Sequence, residues 1–304
     1  MNEIKDVLTT VIPTYNERED LLRKSIETML NQTYPYIELI MIDDGCTDNT
    51  PAVLAEYAKQ DSRVKVFRRE RDQPDPTLRS VPQAFSLGLE KATGKWWHHD
   101  AADCWHEPDF AERTIYALQG QPENIIGAHT DFMSHKFDGS VEHYDVKKNW
   151  KPNWSAFENY MRMEGLGGMV FRMDICKKVG AWDWRLPRKH TREWTSKVLQ
   201  YGDLVHVPKV LWHFVFHEID QMKRIASAKY RILVDLKHGY NLETNFIASA
   251  TSHHGRLAVA AAFRDFFTLP EWEEERRCSP FMSQLEKVNV LATKEASETW
   301  EPKI

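Results

Sequence analysis

The sequence is poor in cysteine: Cys46, Cys104, Cys176 and Cys278 are the only four in 304 residues, and no two stand at CxxC spacing. That argues against a disulfide framework or a structural zinc site and fits a reducing cytoplasm. The N-terminal stretch enters a strand-like run without a basic region and a long apolar core, so no secretory leader is expected. No apolar run approaches the roughly 18 residues that a bilayer-spanning helix needs. Internal repeats, a P-loop and a GxGxxG fingerprint are all missing. Positive charge is not in surplus either. The formal net charge is −5, which gives no global field for nucleic acid or an anionic membrane.

What is present is a long, well-mixed chain, 42% hydrophobic and 28% charged, enough for one large α/β domain and an extension. Strand-like and helix-like segments alternate. Val7–Ile12 is β-branched and ends at Pro13. Residues Glu19–Asn31 carry Leu22, Ile26 and Met29 at helical spacing. Tyr36–Ile42 reads as a second strand, Thr50–Lys59 as a helix, Val64–Phe67 as a third strand, Ser80–Ala92 as a helix and Trp96–His99 as a fourth strand. Such alternation implies βαβ units and a largely parallel sheet.

Carboxylates gather at two of the strand ends, Asp43/Asp44 and Asp100/Asp103. An isolated Asp pair in a turn is ordinarily a cap or a solvated loop. Two such pairs at separate strand ends are better explained by a ligand site, because open α/β sheets bind ligands beyond the carboxyl ends of their strands. Acidic groups there can hold Mg2+ or Mn2+ and, through it, phosphate oxygens. The eleven tryptophans, several of them near this stretch, suit a sugar- or base-binding cleft and equally suit a core.

Four motifs stand in order: Val11-Ile12-Pro13-Thr14-Tyr15-Asn16-Glu17, Asn31-Gln32-Thr33-Tyr34, Ile42 to Thr50 around Asp43-Asp44-Gly45, and Ala92-Thr93-Gly94-Lys95 before the second acidic turn. Together they resemble the family 2 glycosyltransferases of the GT-A fold, over roughly residues 6–217. The resemblance implies a Rossmann-like, mostly parallel central sheet flanked by helices. It divides the chain into a catalytic domain, 1–218, and a helical C-terminal extension, 219–304.

It also implies roles. Pro13, Thr14 and Tyr15 would wall the nucleobase pocket, with Glu17 near the base or ribose. Asp43 would accept a hydrogen bond from the base edge, as uracil or thymine N3–H would give, and Arg79 would face the diphosphate. The second acidic motif departs from the family's D-x-D-D-x-W, since Ala102 takes the place of one carboxylate. Asp103 then aligns with the direct metal ligand, while Asp100 and Ala102 line the donor side. Gly165 to Arg172 resembles the small-residue strand beneath the donor sugar, where glycine admits close backbone approach.

An inverting transfer needs a base for the acceptor hydroxyl. The family's Asp is replaced here by Arg188-Lys189-His190-Thr191-Arg192-Glu193. Glu193 is the first candidate and His190 the second. His217 is the candidate for a further metal ligand, with His213 on the same strand face.

The sequence therefore reads as a cytoplasmic glycosyltransferase. It would move a sugar from a UDP- or dTDP-type donor to a carbohydrate or other hydroxyl acceptor, with inversion and with Mn2+ or Mg2+. Two alternatives remain open. One is a non-catalytic sugar- or nucleotide-binding protein. The other is a DNA-modifying enzyme of phage type acting on a hydroxylated base, with Arg68, Arg69, Arg71, Arg188, Lys189 and Arg192 as a basic rim; the acidic net charge disfavours nucleic acid. The C-terminal extension would hold the acceptor, form a homodimer or cap the sheet.

Overall fold

The computed structural model describes residues 6–71, 80–146, 150–162, 167–216, 221–238 and 253–278. Strand β1 (Leu8–Thr14) and strand β2 (Ile37–Asp43) are buried along nearly their whole length. Runs of β-branched and aliphatic residues without polar alternation belong to strands covered on both faces, hence to the centre of a parallel sheet. The two run parallel in a register that pairs Leu8 with Ile37 and Thr14 with Asp43. Strand β3 (Val64–Arg68) adds in parallel beside β2, and β4 (Trp96–His99) beside β1. Helices α1 (Glu19–Leu30), α2 (Thr50–Gln60) and α3 (Ser80–Lys91) make the crossovers. Gly88 lets α3 lie directly on Val11 of β1, where a Cβ would collide with the valine side chain.

Beyond β4 the sheet is mixed. Strands β5 (Cys104–His106), β6 (Ile125–Lys136), β7 (Val141–Tyr144), β8 (Gly167–Arg172) and β9 (Asp203–Phe216) complete it, with α4 (Phe110–Leu118) between β5 and β6. Among the described residues the order is β3-β2-β1-β4-β8-β6-β9-β5, with β7 on β6. β8 runs antiparallel to both β4 and β6, and β5 antiparallel to β9. β6 is long, running to Lys136 before it turns into the β6–β7 hairpin. The acidic turn after β4 feeds a three-residue strand, because Cys104, Trp105 and His106 pair with Phe214, His213 and Trp212 far along the chain.

The main core lies between the parallel strands and α1, α2 and α4, with Leu8, Ile12, Leu22, Ile26, Leu39 and Phe110 fully enclosed. Each aliphatic side chain taken out of water there stabilises by about 1.5–3 kcal/mol before conformational entropy is counted. One charged group sits inside this edge of the sheet. Glu38 of β2 accepts hydrogen bonds from Thr9, from Thr93 and from the Lys65 ammonium.

The chain divides into two compact units, Met1–Pro187 with Glu193–Glu218, and Arg188–Arg192 with Ile219–Ile304. In the second, helix Gln221–His238 packs on helix His253–Thr268, and Leu233, Leu236, Ala262 and Phe266 are buried. Among the described residues no helix is long and apolar enough to cross a membrane.

Candidate active site

The register of the parallel strands brings the first acidic turn and the Pro-Thr-Tyr turn together. Thr14 ends β1 directly beside Asp43 at the end of β2, and the Asp44 amide donates to the Thr14 carbonyl at 3.0 Å. The Asn16 side-chain amide then clamps the two loops, donating to the Thr47 hydroxyl and accepting the Thr47 backbone amide. Gly45 carries a φ of +77°, a left-handed turn that glycine adopts without strain. The Tyr15 ring is 42% exposed, and the Arg71 guanidinium lies 3.5 Å from its centroid. The result is a partly open aromatic face backed by a cation. Pro13 is half-buried, and Glu17 accepts the Arg18 amide.

The carboxylates of this turn are already engaged with protein. Asp43 accepts the Cys46 amide at 2.8 Å and the Arg68 guanidinium at 2.7 Å, which leaves one lone pair on each oxygen for a ligand. Asp44 is almost fully buried and pairs with Arg69 at 2.5 Å and with Arg71 at 3.1 Å. This revises the basic rim read from the sequence. Arg69 and Arg71 are spent on an internal carboxylate, and Arg192 is buried with Asp235 at 3.9 Å. Sequence reading missed these pairings because no local pattern links residues 43–44 to 68–71. Arg79 lies outside the described residues.

The second acidic turn starts at the end of β4, where the Asp100 amide donates to the Val11 carbonyl. Asp100 itself points inward. Its Oδ1 accepts the Trp212 indole N–H at 3.0 Å, and its Oδ2 lies 3.4 Å from His106 Nε2 and 3.8 Å from His98 Nε2. Ala102 belongs to the hydrophobic core, so a carboxylate at that position would be buried among apolar side chains. Asp103 is half-buried, receives the Cys104 thiol at 3.6 Å, and takes the Val215 amide on its carbonyl. His217 is outside the described residues. His213 has both ring nitrogens engaged, one 3.1 Å from His135 and one 3.0 Å from Glu107, and its ring stacks on Trp105. Burial pushes its pKa down.

An aromatic cluster joins β4 to the segment expected to carry the base. His99 of β4 meets Trp182 and Trp194 edge to face, and the Trp97 indole N–H donates to His99 Nδ1 at 3.3 Å. Trp182 and Trp194 stack with ring centroids 3.9 Å apart, and the Trp194 indole N–H donates to the Gly180 carbonyl. Trp194 belongs to helix His190–Val198, so the cluster fixes that helix next to the end of β4. Glu193 sits in its first turn, fully enclosed, with the Lys197 ammonium 3.4 Å from its carboxylate. His190 opens the same helix and is half-buried. In the β8 stretch, Gly167 and Gly168 press against Phe132, Trp212 and Thr130. The glycine-rich strand therefore serves close packing inside the sheet.

The family model described as Glycosyl transferase family 2 matches residues 9–180. The putative glycosyltransferase EpsH of Bacillus subtilis is 29% identical over 119 residues, 39% of this chain and 32% of that protein. Glycosyltransferase AglE of Haloferax volcanii is 21% identical over 197 residues, 64% of this chain and 62% of that one. The chain thus spans about a third and about three fifths of these two relatives. Among solved structures, S. aureus TarS 1–349 in complex with UDP-GlcNAc superimposes with a TM-score of 0.60 at 12% identity, over 95% of this chain and 80% of that one. At that identity the likeness is one of fold.

Proposed function

Since this chain belongs to glycosyl transferase family 2 and is a sugar-transferring enzyme of the GT-A fold, we propose that it uses a UDP-type nucleoside-diphosphate sugar. The sugar passes with inversion to the hydroxyl of a carbohydrate or other acceptor. The observation that carries this reading is the pairing of Thr14 with Asp43 at the ends of β1 and β2, beside the open face of Tyr15. A flat base can lie on the tyrosine ring while its N–H edge donates to a remaining lone pair of Asp43. The UDP-GlcNAc held by TarS supports the donor class by analogy of fold.

The donor set suits a hard divalent ion. Asp103 offers a half-buried carboxylate on the turn that follows β4. Asp103, with His217, would hold Mn2+ or Mg2+, which when bound would neutralise charge on the diphosphate leaving group. GalNAc-T7, which matches with a TM-score of 0.55 at 16% identity over 97% of this chain and 58% of that one, carries UDP, GalNAc and Mn2+. Within this reading Arg79 faces the diphosphate, and Glu17 faces the base or ribose. Asp100 and Ala102 act from behind, by setting the conformation of the turn that carries Asp103. Glu193, in the first turn of helix His190–Val198, takes the acceptor proton. His190, half-buried at the head of that helix, is the second candidate. A reducing cytoplasm suits the three free, buried thiols Cys46, Cys104 and Cys176.

A thermal-shift panel of UDP, GDP, dTDP and CDP, each with and without Mn2+, tests the donor site. A ligand that binds only the native state raises stability by RT ln(1 + [L]/Kd). A metal-dependent rise with UDP that is lost in Asp103→Ala supports the reading. No rise with any nucleotide overturns it.

A further inference from the structure

Three side chains converge in the interior behind the acidic turn. His98 comes from the end of β4, Asp100 from the residue that leaves it, and His106 from the end of β5. All three are buried, and one ligand atom from each lies within 4.8 Å of the others. We propose that His98 Nε2, His106 Nε2 and Asp100 Oδ2 form a structural divalent-cation site of the zinc type, separate from the donor-site metal at Asp103.

Spacing is the first argument. The three atom pairs lie at 2.9 Å, 3.4 Å and 3.8 Å. A tetrahedral ion with bonds of about 2.0–2.1 Å holds its donor atoms about 3.4 Å apart, the centre of that range. Small movements of buried rings equalise the three edges around one ion.

Proton placement is the second. His98 Nδ1 lies 2.7 Å from the Met169 carbonyl, which can only accept, so this nitrogen carries a proton. A neutral His98 then presents a bare lone pair at Nε2, aimed at His106 Nε2. Asp100 Oδ2 is buried and receives no hydrogen bond from a described residue, a costly state for a carboxylate oxygen. Without an ion, His106 Nε2–H donates to the His98 Nε2 lone pair at 2.9 Å; a cation takes the place of this proton, which moves to His106 Nδ1, and engages the Asp100 oxygen and the two Nε2 atoms together. The His98 Nδ1–H to carbonyl bond is then the outer-shell contact that commonly fixes the tautomer of a metal-bound histidine. Trp212, donating to Asp100 Oδ1, orients the carboxylate in the same way.

The donor chemistry selects the ion. Two imidazoles and one carboxylate favour Zn2+ or a neighbouring first-row ion over Mg2+ and Ca2+, which prefer oxygen cages. The consequence is mechanical. Bound at 98, 100 and 106, the ion clasps both ends of the turn that carries Asp103.

The test is metal content of the full chain after incubation with Zn2+ and desalting. Wild type retains about one equivalent per chain and gains thermal stability, as a ligand that binds only the folded state must. The equivalent falls to background in the His98→Asn/His106→Gln variant and survives in Asp103→Asn. No retained zinc in wild type overturns the proposal, and so does retention by the double variant or loss in Asp103→Asn. Should the double variant fail to fold, Co2+ titrated into wild type decides. The intense visible absorption of tetrahedral cobalt supports the site, and its absence overturns it.

Discussion

The indoles of Trp182 and Trp194 lie nearly parallel, 3.9 Å apart and 5° from coplanar orientation. Trp194 is fully buried and also contacts His99 and Trp97, so this one side chain ties the helix carrying Glu193 to β4. Truncating a buried Trp removes its transfer free energy and leaves a cavity, together about 3–5 kcal/mol. Trp194→Ala is expected to lower the unfolding free energy from urea denaturation by that much, while Trp194→Phe keeps a ring in the stack and loses far less. Equal losses for the two variants would show that the stack does not set stability here.

Asp44 sits between two arginines, and their geometry predicts which charge matters most. Its carboxylate is 2% exposed, with Arg71 at 6% and Arg69 at 15%. Removing the carboxylate strands two largely buried cations, and breaking such a set costs about 3–5 kcal/mol. Asp43 pairs with Arg68, whose side chain is 46% exposed, so water can replace the lost partner. Asp44→Asn is therefore expected to destabilise strongly in chemical denaturation and Asp43→Asn weakly. For nucleotide binding the order reverses, because Asp43 is the residue proposed to meet the base. Calorimetric titration with UDP on both variants checks the reversal.

Tyr15 separates a stacking role from a hydrogen-bonding one. The Arg71 guanidinium covers one side of the ring, and the ring remains partly exposed for a base. Tyr15→Phe should leave UDP affinity nearly unchanged. Tyr15→Ala should weaken it about tenfold, in line with the roughly 0.5–1.5 kcal/mol of an aromatic pair. A larger loss in Tyr15→Phe than in Tyr15→Ala is incompatible with stacking.

How much of this was legible beforehand depends on the range over which each signal acts. β1, β2 and β4 announce themselves by short β-branched or aromatic runs ended by turns. The turns that follow them, at Asp43 and Asp100, were visible as strand-end carboxylates. The parallel register that sets Thr14 beside Asp43 follows from two strands of equal length. β5 was not legible, since three residues acquire strand character only by pairing with β9. The arginine partners of Asp44 and the histidines around Asp100 were hidden for the same reason. Sequence offers residue types and local spacing, while these sets are assembled by sheet order. Ala102 shows the limit from the other side. Its place in the motif suggested a lost ligand, and its side chain turns out to be core.

Acid should destabilise the fold through a histidine that belongs to neither proposed ligand set. His129 of β6 is buried between the Trp150 ring at 5.0 Å and the His206 ring at 4.7 Å. Burial pushes its pKa from 6.5 down to about 3, and His206 adds to the effect. The neighbouring carboxylate of Asp131 is occupied by His206 Nε2 at 2.9 Å. Below pH 6.5 the unfolded chain takes up a proton that folded His129 refuses until about pH 3. Stability is thus fully present above pH 6.5 and falls by up to about 1.4 kcal/mol per pH unit through that window. His129→Phe should flatten the acid limb of the urea midpoint against pH, while His106, lowered by burial in the same direction, keeps part of it. An unchanged slope would mean that His129 titrates normally in the folded chain.

The base assignment makes the sharpest kinetic claim. General-base catalysis contributes about 10²–10⁴-fold, so Glu193→Gln should lower kcat by that factor while UDP binding stays intact. The change is nearly isosteric, and the buried carboxylate faces the Lys197 ammonium at 3.4 Å. A purely structural Glu193 would give a different pattern: reduced stability, with kcat largely restored in Glu193→Gln at low temperature. His190→Asn provides the second arm, because an imidazole base imposes an acid limb on kcat near its ordinary titration range and a carboxylate base does not. If His190→Asn abolishes turnover and Glu193→Gln preserves it, the proton passes to the imidazole at the head of the helix, and the role of Glu193 is structural.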